Sequence, residues 1–188
     1  DTTQAPATTT EAQAEESTAA DPTLDTGQPD EPGIGQGYAR EQLGDWQVQC
    51  VRREDPETEP CQMYQLLRGA ENNPVAEVII EKIPGNGQVA AGATIAVPHG
   101  TALAKDLRIS VDGAQGKVYR YAFCDPNSCY ARIGLLAADV DAFKKGSAAK
   151  VVIFPFEAPD TAVELSRSLN GFTAAFEETR ANQPVSTT

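Results

Sequence analysis

Residues 117–135 read Lys117-Val118-Tyr119-Arg120-Tyr121-Ala122-Phe123-Cys124-Asp125-Pro126-Asn127-Ser128-Cys129-Tyr130-Ala131-Arg132-Ile133-Gly134-Leu135. Tyr119, Tyr121 and Phe123 alternate with Arg120 and Ala122, the period of two that a strand shows when one face is buried. Asp125-Pro126-Asn127-Ser128 sets four turn formers in a row. The alternation then resumes as Cys129, Ala131, Ile133 and Leu135. Cys124 and Cys129 bracket the turn, where two antiparallel strands come close. The stretch predicts a β-hairpin clamped by its own cysteines, with the rest of the domain a sheet built around it.

Working back toward the N-terminus, Leu103 to Val111 holds a strand (Leu107, Ile109, Val111), and Thr94 to Val97 a short one ended by Pro98-His99-Gly100. Val75 to Ile83 is apolar and β-branched, with Val78, Ile79 and Ile80 consecutive, which predicts a strand covered on both faces. Cys61, Met63, Gln65 and Leu67 share one face of a strand that returns from a loop over 52–60. Before that loop, Trp46, Val48 and Cys50 share a face of the first strand, and the only tryptophan reads as a core anchor. Tyr38 to Leu43 is expected to be a helical or irregular lead-in.

Toward the C-terminus, 138–145 predicts a short helix with Val140 and Phe143 inward, Lys144 and Lys145 in its last turn and Gly146 as its stop. Val151 to Phe154 is a strong strand, and Thr161 to Ser168 another alternating one. Asn170 is expected to cap a final helix over 171–179, whose Phe172, Ala175 and Phe176 dock on the sheet. About nine short strands with regular turn signals and two short helices predict an all-β fold, an antiparallel β-sandwich or partly open barrel.

The chain has 188 residues and a net charge of −12. Eight of its 27 acidic residues, and no Lys or Arg, precede Tyr38, leaving 19 acids against 15 bases. Residues 1–37 lack aromatics and hold Leu24 and Ile34 as their large aliphatics, too little apolar surface to offset chain entropy. They are expected to form a disordered acidic tail, followed by a β-rich domain over 38–180 and a frayed 181–188. The mildly acidic domain lacks the basic face that a nucleic-acid binder needs. No apolar run of 18 residues occurs, so no membrane-spanning helix is expected. The chain opens at Asp1 without an apolar leader, as a form whose export signal has been removed would.

Four cysteines allow three pairings. Cys50 with Cys61 and Cys124 with Cys129 is favoured because each pair flanks a turn, and it implies an oxidising compartment. Zinc and free thiols are the competing readings; C-x10-C and C-x4-C fit no common zinc knuckle. No cofactor is expected, since phosphate loops, dinucleotide fingerprints and H-E-x-x-H are missing. A catalytic triad would have to use His99, the single histidine, which a Pro-x-Gly surface turn explains more simply.

Gly44-Asp45-Trp46 followed by Cys50, then Cys61-Gln62-Met63, resembles the opening of the invasion-associated locus B (IalB) family of bacterial exported proteins. Ser168-Leu169-Asn170-Gly171-Phe172-Thr173-Ala174-Ala175-Phe176 is similar to that family's closing segment, and Cys124 and Cys129 also match. The resemblance covers roughly Leu43 to Glu178. It implies a periplasmic or surface-associated β-rich protein, in pathogenic members one linked by name to host-cell invasion, and it carries no catalytic residues. The expectation is therefore a non-enzymatic module that binds a protein or envelope component through strand edges or loops. The candidate contacts are Arg52, Arg53 and Glu54 in one loop and Asp125 and Asn127 at the hairpin tip. The alternatives are a small-molecule carrier or sensor with a pocket lined by Trp46, Tyr119 and Tyr121, and an envelope hydrolase using His99.

Overall fold

In the computed structural model, residues 27–85 and 87–181 are described. Most of the expected acidic tail and all but the first residue of the expected frayed end lie outside these. Residues 27–36 hold no regular element, yet Gly35 N donates to Arg52 O at 2.8 Å and Arg52 N to Gln36 O at 2.9 Å.

Two antiparallel sheets enclose one core. The larger has seven strands in the order β1-β2-β3-β4-β5-β9-β8, formed by β1 (Gly37–Leu43), β2 (Trp46–Val51), β3 (Cys61–Arg68), β4 (Pro74–Lys82), β5 (Val89–Val97), β8 (Phe123–Cys124) and β9 (Cys129–Leu136). The smaller has the order β11-β10-β6-β7, from β6 (Leu107–Val111), β7 (Lys117–Tyr119), β10 (Ala148–Ile153) and β11 (Val163–Ser168). The strands divide into two separate sheets and close no barrel, which is the sandwich of the expected pair. Helices α1 (Ala137–Lys145) and α2 (Phe172–Glu178) pack on the sheets through Val140, Phe143, Phe172, Ala175 and Phe176, all buried.

The core follows from strand periodicity. Trp46, Val48 and Cys50 in β2, and Cys61, Met63, Gln65 and Leu67 in β3, point inward in strict alternation. Trp46 is 3 % exposed and meets Phe172 edge to face at 5.4 Å. Here the two separated motifs of the sequence touch. Asp45 N donates to Asn170 O at 3.1 Å, and Gly44 and Gly171 pack backbone to backbone. Both have positive φ, +59° and +82°, and a Cβ on Gly171 would lie 2.0 Å from Leu43 O, so only glycine fits this crossing.

Several expectations are corrected. The strand read through 117–124 is split between sheets: β7 pairs with β6, residues 120–122 cross over, and β8 pairs with β9. The hairpin is therefore short, and Phe123 is 51 % exposed rather than buried, its ring stacked on Tyr130 at 5.0 Å. Residues 38–43 form an edge strand, held by backbone pairing to β2 despite a mostly exposed surface. β4 buries one face, with Ala76, Val78 and Ile80 inward and Glu77 and Glu81 exposed. β5 is longer than the expected 94–97. α2 is capped by Gly171 in the left-handed conformation rather than by an Asn170 side chain. Gly146 does cap α1, though in an extended rather than left-handed conformation, with φ −75° and ψ 159°. The β-branched strands β4 and β5 lie inside the large sheet, so they offer no edge. The edges of the large sheet are β1 and β8 and those of the small sheet β11 and β7, and a bulge between Ala39 and Glu41 blunts further pairing on β1.

Candidate functional site

Both cysteine pairs are disulfides between directly opposed residues of neighbouring strands. Cys50–Cys61 closes the loop over 52–60 and is buried on both sides. Within that loop Pro56–Thr58 makes a turn of 3-10 helix, and the Asp55 carboxylate accepts from Glu57 N. Its anchor is Glu59, 1 % exposed. The Glu59 carboxylate accepts from the Tyr38 hydroxyl, from Arg52 Nη1 at 3.2 Å and from Arg53 N at 3.3 Å. The Tyr38 hydroxyl bond above all, then the Arg53 amide and the Arg52 charge, holds its carboxyl below the ordinary range against the opposing effect of burial. The same bond holds the Tyr38 phenol above its ordinary value. Arg52 also stacks 4.3 Å over the Tyr38 ring, so this expected contact residue serves the loop itself. From the C-terminal side Arg180 exchanges backbone bonds with Cys61 and donates to Glu57 O at 2.8 Å. Arg53 is half-buried and Glu54 exposed.

The second disulfide, Cys124–Cys129, closes the tip at residues 125–128. Asp125 organises it. Its Oδ1 accepts from Asn127 N at 2.7 Å and Ser128 N at 2.9 Å, and its Oδ2 from the Tyr130 hydroxyl at 2.9 Å. The Ser128 and Asn127 amides first, then the phenol, hold its carboxyl below the ordinary range. Asn127 is exposed, Cys124 is exposed, and Cys129 is 2 % exposed. His99 lies in an exposed turn, with Nδ1 3.9 Å from Cys129 Sγ.

Beside the tip an open groove of about 500 Å³ crosses the outer face of the large sheet. Leu66, Ile79 and Ala96 form its floor, and Asn127, Ser128 and Tyr130 one wall. A second groove of about 460 Å³ runs past Tyr38, the Cys50–Cys61 disulfide and Arg180. The interior is different. Its cavity measures about 40 Å³ and is lined by Trp46, Gln65 and Arg167 among apolar side chains. That holds a water or two, not a small-molecule ligand, which needs several hundred Å³. Tyr119 and Tyr121 do not line it, so the three aromatics expected to share a pocket lie apart. Burial pushes the Tyr121 phenol up to about 12.

Among the described residues no group of three or more His, Cys, Asp or Glu is placed to hold a metal ion, and no helix is long and apolar enough to cross a membrane. Sequence reasoning missed Glu59 and Tyr38, because a glutamate before Pro60-Cys61 carries no local sign of burial. It also missed the Ile79 groove, whose residues come together only when β3, β4, β5 and β9 pair.

A family model described as invasion associated locus B (IalB) protein matches residues 46–180. No curated protein matches the chain. Among solved structures, the crystal structure of invasion associated protein B from Bartonella henselae is similar at 24 % identity and a TM-score of 0.59, over 72 % of this chain and 90 % of that one. At that identity the likeness shows the shared fold.

Proposed function

The chain belongs to the invasion associated locus B family, and from that premise we propose that it is an exported module of the periplasm or cell surface that acts by contact rather than by turnover. Its partner is another protein or an envelope component, and in a pathogen the contact serves host-cell invasion. One observation carries the reading: a disulfide-closed tip forms the wall of an open groove on the outer sheet face, floored by Leu66, Ile79 and Ala96 with Glu77 and Thr94 among them. Such a surface is preorganised, so a partner bound there orders little of this chain. The interior cavity is too small for the carrier alternative. Two disulfides support an oxidising compartment.

The test is crosslinking capture from intact envelopes, with and without residues 1–37, comparing wild type with Ile79→Glu. Ile79 is half-buried on the groove floor, and its neighbours Val78 and Ile80 carry the core face, so the fold survives the change. Loss of the captured partner in Ile79→Glu, at unchanged near-UV circular dichroism, is the expected result. Equal capture by both forms would remove the groove from the reading.

A further inference from the structure

We propose that Cys124–Cys129 is a thiol-exchange site, in which Cys124 is the sulfur attacked, Cys129 the leaving sulfur and His99 the acid that protonates it. The assignment is independent of what docks in the groove. It rests on an asymmetry between two disulfides of the same cross-strand type. Cys50 and Cys61 are both 2 % exposed and lie beneath the loop pinned by Glu59. At the tip Cys129 is equally buried, but Cys124 is exposed. Exchange requires a thiolate to reach one sulfur along the disulfide axis. Burial closes three of the four sulfurs to that approach and leaves Cys124.

At the reachable disulfide the leaving sulfur then sets the rate, because a more acidic thiol leaves faster; Cys61 Sγ has Arg40 Nη1 at 3.8 Å, but burial keeps an incoming thiolate from its partner Cys50. Cys129 Sγ has the His99 Nδ1 at 3.9 Å, on an exposed turn that can exchange protons with solvent. A proton on Nδ1 is within reach of the sulfur as its charge develops. The incoming sulfur bonds to Cys124 Sγ as the Sγ–Sγ bond breaks. The bonding pair departs on Cys129 Sγ, which takes the Nδ1 proton. The co-reactant is a dithiol reductant. Its second thiolate attacks its own sulfur in the mixed disulfide, frees Cys124 as a thiolate, and leaves as a cyclic disulfide. The protein gains two electrons and two protons, and the dithiol loses the same.

The site is also built to re-close. Asp125 holds the turn through Asn127 N, Ser128 N and the Tyr130 hydroxyl, none of which depends on the disulfide. Four residues separate the cysteines, so the two thiols stay close after reduction.

The experiment uses the intact chain, limiting dithiothreitol, alkylation quench and peptide mass analysis. Cys124 and Cys129 are expected to become alkylated at least about ten-fold faster than Cys50 and Cys61. His99→Ala should slow opening of the tip by about ten-fold, because the departing Cys129 sulfur loses the proton donor beside it. The Cys50–Cys61 rate and the melting temperature should not move. With Cys129→Ala, the remaining Cys124 should form a mixed disulfide with glutathione disulfide, whereas Cys129 in Cys124→Ala should not. Equal opening of both disulfides, or a tip rate untouched by His99→Ala, overturns the assignment.

Discussion

Replacing Gly171 with alanine should be among the most damaging single-methyl changes this fold can suffer. Gly171 has φ +82°, and its Cβ would lie 2.0 Å from Leu43 O, 2.6 Å from Leu43 C and 2.9 Å from Gly44 Cα. All three are backbone atoms, so no side chain can rotate away. The left-handed conformation alone costs alanine about 1–2 kcal/mol. Relieving the overlap requires the start of α2 to lift from the β1–β2 turn. That breaks the Asp45 N to Asn170 O bond, about 1 kcal/mol, and loosens the Trp46–Phe172 edge contact, about 0.5–1.5 kcal/mol. The expected loss is about 2.5–4.5 kcal/mol by these contributions, a large share of a domain's total. Gly113→Ala supplies the control, because Gly113 has φ +75° with nothing within 4 Å of the added Cβ. It should cost only the backbone share, about 1–2 kcal/mol. Urea unfolding read by the fluorescence of Trp46, with disulfides intact, gives both values on one scale. If the two substitutions cost the same within about 1 kcal/mol, the packed glycine crossing is not a stabilising contact and the reasoning fails.

Further outcomes can be checked alongside. Glu59 has a folded pKa below its ordinary 4.5, so its contribution is present above that value and is lost as pH falls through the lower folded value. Melting temperature in Glu59→Gln should therefore decline less steeply on acidification than in wild type; parallel acid profiles would contradict this. Arg167 has Nε and Nη2 without a hydrogen-bond partner among the described residues, and burial, then the Arg68 charge, lowers its pKa against the pull of Asp45. Arg167→Met should hold stability or raise it by about 1 kcal/mol, because an unpaired buried donor is removed at similar side-chain length. A loss above about 2 kcal/mol in urea titration would mean the guanidinium is bonded in solution.

What the sequence discloses is what repeats locally. The inward faces of β2 and β3 and the buried faces of α1 and α2 are legible because burial forces a period of two or of 3.6 onto neighbouring residues. β1 is illegible for the opposite reason. It is an exposed edge whose order comes from backbone bonds to β2, which leave no apolar pattern. The alternation through Tyr119, Tyr121 and Phe123 misleads, because period alone does not reveal that the chain changes sheets at 120–122. Asn170 shows the same limit: a cap residue by type, it instead gives its carbonyl to Asp45, at the far end of the chain. The glutamine in the Cys61–Leu67 face is legible as inward but not why, since its Nε2 bonds to Asp45 O at 2.9 Å across that same crossing.

Polar residues in a disulfide-closed loop tempt a reader to assign them to a partner, and the geometry argues otherwise here. Arg52 is bound to Glu59 and stacked on Tyr38, and Asp125 already accepts three hydrogen bonds. A partner competing for either would have to replace those bonds, with little net gain. Charges that hold a loop in place are poor contacts for the same reason that they are good scaffolding. On the proposed reading, contact falls to side-chain surfaces that the scaffold leaves open: the exposed Asn127 amide, the stacked Phe123–Tyr130 rings and the groove floor around Ile79. On these surfaces a partner would remove apolar area from water without breaking an existing bond, and that difference in free energy is why the proposal places contact at the outer groove rather than at either loop.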